Sequence, residues 1–94
     1  MAEELREHRL KRLHMRSMRR GIKEMDLILS TYAGRHLAEM DAETLDTYDA
    51  LLSENDQDLY RWVTGQEPAP ERFAPLIHLI SQTFQGDGKG ASAI

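Results

Sequence analysis

The chain has no cysteine. Disulfides, thiolate metal sites and cysteine nucleophiles are therefore excluded. It also lacks any apolar run near the roughly 18 residues that a membrane-spanning helix requires. No apolar segment of signal-peptide type stands at the start. The first residues are arginine-rich, but Glu3, Glu4 and Glu7 argue against a transit peptide, which is poor in acids. These absences predict a reducing, cytoplasmic location of bacterial type with no direct membrane insertion. No two of the histidines (His8, His14, His36 and His78) stand three or four residues apart, so metal-site spacing is missing. None of the serines sits in a glycine-flanked elbow. Neither a phosphate-cradling glycine loop nor a dinucleotide fingerprint is present. With no catalytic constellation and no metal set, a binding protein is expected rather than an enzyme.

What is present, in 94 residues, is room for one domain and one core. Apolar residues make up 40% of the chain and charged residues 30%, the balance of a folded domain rather than a disordered one. Five apolar stripes recur near 3.6 residues per turn. The first, from about Glu4 to Met18, puts Leu10, Leu13 and Ser17 on one face with Leu5, Met15 and Met18 beside it. It is thin and otherwise basic, so this helix is expected partly on the surface. The second joins Ile22, Met25, Leu29, Tyr32 and His36, with Ile28, Ala33 and Leu37 alongside. Asp41 reads as the N-cap of a third helix that turns Leu45, Tyr48, Leu51 and Leu52 inward. Asn55 or Asp56 caps a short fourth helix with Leu59, Trp62 and Val63 in the core, ended by Gly65. Pro70 suits the first position of a fifth helix carrying Phe73, Leu76, Ile77, Ile80 and Phe84. Pro75 must then fall in the first turn, or the helix starts late or kinks. Residues 86–94, GDGKGASAI, read as a flexible tail. The connections are short, which favours antiparallel or crossed neighbours. The predicted architecture is all-α: a compact five-helix bundle over residues 1–85, a monomer when free, with a C-terminal tail.

The net charge of −4 hides an asymmetry. Residues 1–24 carry +4 and the remainder −8. Such a chain is expected to be electrically bipolar, with Arg9, Arg16, Arg19 and Arg20 forming a basic docking face. A basic cluster is also the footprint of nucleic-acid binding, but the pI is about 5.5 and no helix-turn-helix or aromatic stacking platform is visible. The acidic stretch (Asp41, Glu43, Asp46, Asp49, Glu54, Asp56 and Asp58) lacks the offsets of a calcium loop and reads as caps and solvated faces.

Between the first two stripes lies Arg19-Arg20-Gly21-Ile22-Lys23-Glu24. Glycine inside a helix costs about 1 kcal/mol relative to alanine. Gly21 is therefore expected at a helix boundary, where its missing side chain permits a sharp turn and close approach of a partner's backbone. Arg20 offers a planar fork suited to a carboxylate. Glu24, four residues on, can orient Arg20 or accept from a partner.

These residues resemble the succinate dehydrogenase assembly factor 2 family, the flavinylation factors, whose hallmark is Arg-Gly-x-x-Glu after a basic segment. Here it stands as Arg20-Gly21-Ile22-Lys23-Glu24, followed by Met25-Asp26-Leu27-Ile28-Leu29. Further matching blocks are Tyr48-Asp49-Ala50-Leu51-Leu52, Asp58-Leu59-Tyr60-Arg61-Trp62 and Pro68-Ala69-Pro70-Glu71, collinear over about residues 9–85. The resemblance implies a five-helix fold and an assembly factor that binds the flavoprotein subunit of succinate dehydrogenase or fumarate reductase. It implies that FAD becomes covalently attached to that client, and that no cofactor is held stably by the factor itself. Arg20, Gly21 and Glu24 carry over as client contacts, and Arg9, Arg16, Arg19 and Met15 extend that surface. Met15 departs from the family, where this position is often aromatic. Bacterial relatives are also described as antitoxins, so a nucleic-acid-binding or antitoxin-type regulator acting through the basic helix stands as the alternative.

Overall fold

The stripe between Ile22 and Leu37 forms the central helix of the molecule. A computed structural model describes residues 4–92, with side chains described as far as Phe84. Five α-helices stand among these residues: α1 (Arg6–Arg16), α2 (Lys23–His36), α3 (Ala42–Leu51), α4 (Asp56–Val63) and α5 (Ala74–Ser92). A 3-10 turn, Leu37–Glu39, follows α2 directly. Met25, Ile28, Leu29, Tyr32 and Ala33 of α2 are all buried. Through them α2 packs against α1, α4 and α5. Leu45, Tyr48, Leu51, Leu59, Val63, Phe73, Leu76, Ile77 and Ile80 complete one continuous core. Full burial of each large aliphatic side chain is worth about 1.5–3 kcal/mol.

Helix ends follow the sequence closely. Asp41 accepts from the Thr44 amide at 2.8 Å, and Asn55 accepts from the Gln57 amide at 2.8 Å. Asn55, not Asp56, is therefore the cap of α4. Gly65 adopts φ 80°. Its amide reaches the Trp62 carbonyl at 3.2 Å and the Gln66 amide reaches the Arg61 carbonyl at 2.8 Å, a Schellman ending.

Three expectations shift. Pro70 does not open α5; its carbonyl accepts from the Phe73 and Ala74 amides in a preceding turn, and the helix starts at Ala74. Pro75 thus falls in the first turn, where its missing N–H breaks no helical bond. Trp62 is half-buried rather than in the core, its ring centroid 6.1 Å from that of Phe73. Backbone helix continues to Ser92, through residues expected as tail. The last two residues of that expected tail lie outside the described residues.

One buried polar contact joins α1 to α3. Ser17, fully buried just past α1, donates its hydroxyl proton to the Leu13 carbonyl at 2.8 Å. The 2.6 Å contact between Ser17 Oγ and the Tyr48 hydroxyl is therefore donated by tyrosine. Burial pushes the Tyr48 phenol up to about 12. Ser17→Ala leaves that phenol without an acceptor and is expected to cost about 1–3 kcal/mol. Tyr48→Phe removes only the donor and costs about 1 kcal/mol. The double variant should be more stable than Ser17→Ala alone, which urea unfolding of the three proteins measures.

Candidate functional site

The link between α1 and α2 contains the Arg-Gly half of the motif, and its left-handed residue is Arg19. Arg19 adopts φ 56°, the left-handed region that costs an L-residue with a side chain roughly 1–2 kcal/mol. Gly21 has no positive φ. Its missing side chain answers a different need. The Gly21 amide donates to Asp56 Oδ2 at 2.7 Å, and an added Cβ would stand 3.1 Å from that oxygen. The other carboxylate oxygen, Asp56 Oδ1, accepts from Arg20 Nε at 2.7 Å. Asp56 lies in the first turn of α4, where the helix dipole favours negative charge.

The two remaining guanidinium nitrogens of Arg20 donate to the Arg16 carbonyl at 2.9 Å and the Leu52 carbonyl at 3.0 Å. The Arg20 side chain is 11% exposed and that of Asp56 18%. Two expectations are corrected here. Arg20 is not a free fork, because all three nitrogens are engaged within the chain. Nor does Glu24 orient it: Glu24 is exposed and makes no hydrogen bond or ion pair among the described residues.

The basic face is likewise occupied. Arg6 donates to the carbonyls of Ala38 and Met40 at 3.0 and 2.7 Å. Arg9 pairs with Asp46. Arg12 bridges Glu4 at 2.9 Å and Asp49 at 3.0 Å. Arg16 pairs with Asp49 and reaches Ser53 Oγ at 3.0 Å. The expected bipolar molecule is thus folded upon itself, basic helix against acidic stretch. The spacing signals part of this: Asp46 and Asp49 stand at i and i+3 on one face of α3, while Ser53 follows its end and Asp56 opens α4. Asp56 is neither a cap nor a solvated acid but the residue that grips the motif.

Other site residues remain outward. Arg19 is exposed, and Met15 is 62% exposed on α1. Met15 borders two open grooves of about 480 and 440 Å³, one on α1 with His8, Lys11, Arg12 and Arg16, the other toward Ala33, Gly34 and Leu37. His36 packs its ring 4.9 Å from that of Tyr32. Among the described residues no three His, Cys, Asp or Glu side chains gather as metal ligands, and no helix is long and apolar enough to cross a membrane.

The ion pairs leave a mark on titration. The Arg12 guanidinium holds the carboxyls of Asp49 and Glu4 below the usual carboxylate range, and the Thr44 contact does the same for Asp41.

Fold and motif together define the class: a small all-α bundle built around an Arg-Gly-x-x-Glu turn locked by an internal carboxylate. A family model described as "Flavinator of succinate dehydrogenase" matches residues 11–84, and the chain belongs to that family. A succinate dehydrogenase assembly factor 2 of Aspergillus terreus is 46% identical over 82% of this chain and 25% of its own length. That of Meyerozyma guilliermondii is 44% identical over 92% of this chain and 67% of its own. Assembly factor 2-A of Drosophila yakuba is 42% identical over 94% of this chain and 56% of its own. The chain therefore spans between a quarter and two thirds of the length of these relatives. All three are named mitochondrial, and that naming overturns the expected bacterial cytoplasmic location.

Two outcomes follow from this geometry. Gly21→Ala should cost about 1 kcal/mol by crowding Asp56. In an Asp56→Ala background the same change should become neutral or stabilise by about 0.4–1 kcal/mol, because alanine restricts the unfolded chain. Thermal melts of the four proteins read the coupling. Separately, carboxylates whose folded pKa is depressed stabilise above the unfolded value of about 4, and that contribution is lost as pH falls through the folded value. Stability should therefore drop below about pH 4, and Asp49→Asn should flatten the acid limb, as urea midpoints against pH will show.

Proposed function

We propose that this chain is an assembly factor that binds the flavoprotein subunit of succinate dehydrogenase, or of fumarate reductase, and promotes covalent attachment of FAD to it. The observation that carries this reading is family membership over residues 11–84 combined with an Arg20-Gly21-x-x-Glu24 turn held in one conformation. FAD belongs to the client, and the bond-forming chemistry takes place in the client's own site. The factor's part is to bind one client conformation better than its competitors, which raises that conformation's population.

In this reading the client meets the outward groups: Glu24, Arg19, Met15 and the exposed backbone at Gly21. Arg9, Arg16 and Arg20 act mainly from behind, by holding α1 and the turn in place. A nucleic-acid partner has less support than the charge count suggested, because the arginines that would contact phosphates already face Asp46, Asp49 and Asp56. Among the described residues no catalytic constellation supports an enzymatic role.

Two variants test the reading in cells lacking the factor. Glu24→Ala should reduce covalent flavin on the client, seen as in-gel fluorescence of the denatured subunit. Gly21→Arg should abolish co-purification of the client while helical circular dichroism is retained. Unchanged fluorescence and unchanged co-purification together would remove the proposed role.

A further inference from the structure

The two ends of the motif differ in every physical respect. Arg20 is nearly buried and each of its nitrogens already has an acceptor. Glu24 is exposed and free of partners among the described residues. One turn further along the same face of α2 stands Leu27, 67% exposed, although Met25, Ile28 and Leu29 around it are buried. The fold has no use for a bare leucine beside a bare carboxylate.

We propose that Asp56 is a positioning residue, whose grip on the Arg20 guanidinium and the Gly21 amide sets the start of α2 so that Glu24 and Leu27, rather than Arg20, meet the partner. The inference rests on the functional reading above and refines it. The chemistry of the partner follows: a cation to face Glu24 beside an apolar recess for Leu27.

The linkage is short. Gly21 is one residue before the N-cap of α2, Ile22, which has no side-chain hydrogen bond of its own to fix it. Glu24 lies in the first turn after that cap. The polar tether at this end of α2, beside the packing of Ile22 and Met25 on the core, is therefore the pair of 2.7 Å contacts from Asp56. Arg19, held at φ 56°, is the backbone cost of reaching that tether. Gly21 belongs to the same device, since a side chain there would press on the carboxylate. A partner that took Arg20 for itself would have to strip Asp56, Arg16 and Leu52 from it. A partner that took Glu24 and Leu27 would displace only water.

The test is a double-variant cycle read by calorimetric binding to the purified flavoprotein subunit, using Asp56→Asn, Glu24→Gln and the two combined. Each single variant should weaken binding about tenfold. Glu24→Gln should leave the melting temperature unchanged. The decisive result is the combination: Asp56→Asn should cost clearly less affinity once Glu24 is Gln, the remainder being what it loses through Leu27. Fully additive losses, or an Asp56→Asn variant that binds as the unmodified chain does, would overturn the inference while leaving the functional reading intact. If the unmodified chain fails to bind the subunit, both fall. Leu27→Ala should also weaken binding, whereas unchanged binding would remove Leu27 from the surface. A readout independent of any partner is hydrogen exchange at the Gly21 amide, which should speed up about tenfold in Asp56→Asn as its acceptor weakens. Unchanged exchange there overturns the grip itself. Where Asp56→Asn does not fold, Asp56→Glu keeps the charge and misplaces it, with the same expected cycle.

Discussion

One carboxylate fixes the path of the chain between its first two helices. Asp56 takes the Arg20 guanidinium with one oxygen and the Gly21 amide with the other. A nearly buried ion pair of this kind is not a large source of net stability, because desolvation offsets much of the Coulomb attraction. Its effect is on geometry. Removing either partner leaves a charge with little water around it, so alternative paths for residues 17–22 are disfavoured more strongly than the native path is favoured. The strained Arg19 and the side-chain-free Gly21 are the local conditions that let the chain reach this arrangement.

The same logic extends along α1. Leu13 is the only residue within that helix that is buried. The helix is held largely by Arg6, Arg9, Arg12 and Arg16 reaching carbonyls and carboxylates on the 3-10 turn and α3. Partly exposed ion pairs contribute about 0–1 kcal/mol each and weaken with salt. α1 is thus attached by polar contacts where α2 is attached by apolar burial. The Ser17–Tyr48 contact is the buried anchor at the end of this ladder. It sits immediately before the Arg20 turn, so errors in seating α1 would be felt at the motif first.

The helices and the core were legible from periodicity because a 3.6-residue stripe reports directly which face lacks water. Asp41, Asn55 and Gly65 were legible because caps are local chemistry. What periodicity could not supply was pairing across the chain. Arg20 and Asp56 are 36 residues apart, and no local signal joins them. The nearest hint is that the arginines of α1 and the Asp46 and Asp49 pair of α3 share helical spacing, yet a charge count treats them as opposite ends of a dipole. Gly21 stands at the helix boundary its residue type suggests, and the chain bends there; the left-handed residue of the link is Arg19, and Gly21 also makes room for a carboxylate from α4. Trp62 was placed too deep because stripe membership does not measure how wide the covering layer is.

A binding turn gains from being rigid before its partner arrives, since ordering side chains and loops on association subtracts about 0.5–1.5 kcal/mol for each flexible side chain immobilised. Burying Arg20 against Asp56 removes that cost in advance for the turn and leaves it for Glu24 and Leu27. One short motif can therefore combine two kinds of residue, one that fixes the shape and one that is open to a partner. An Arg-Gly-x-x-Glu sequence without an acid in Asp56's place would keep every letter of the motif and lose the geometry that makes its glutamate available. The proposed recognition element is thus Glu24 and Leu27 of α2, set by Arg20 and Gly21 of the preceding link and by Asp56 of α4, and joined only in the folded state.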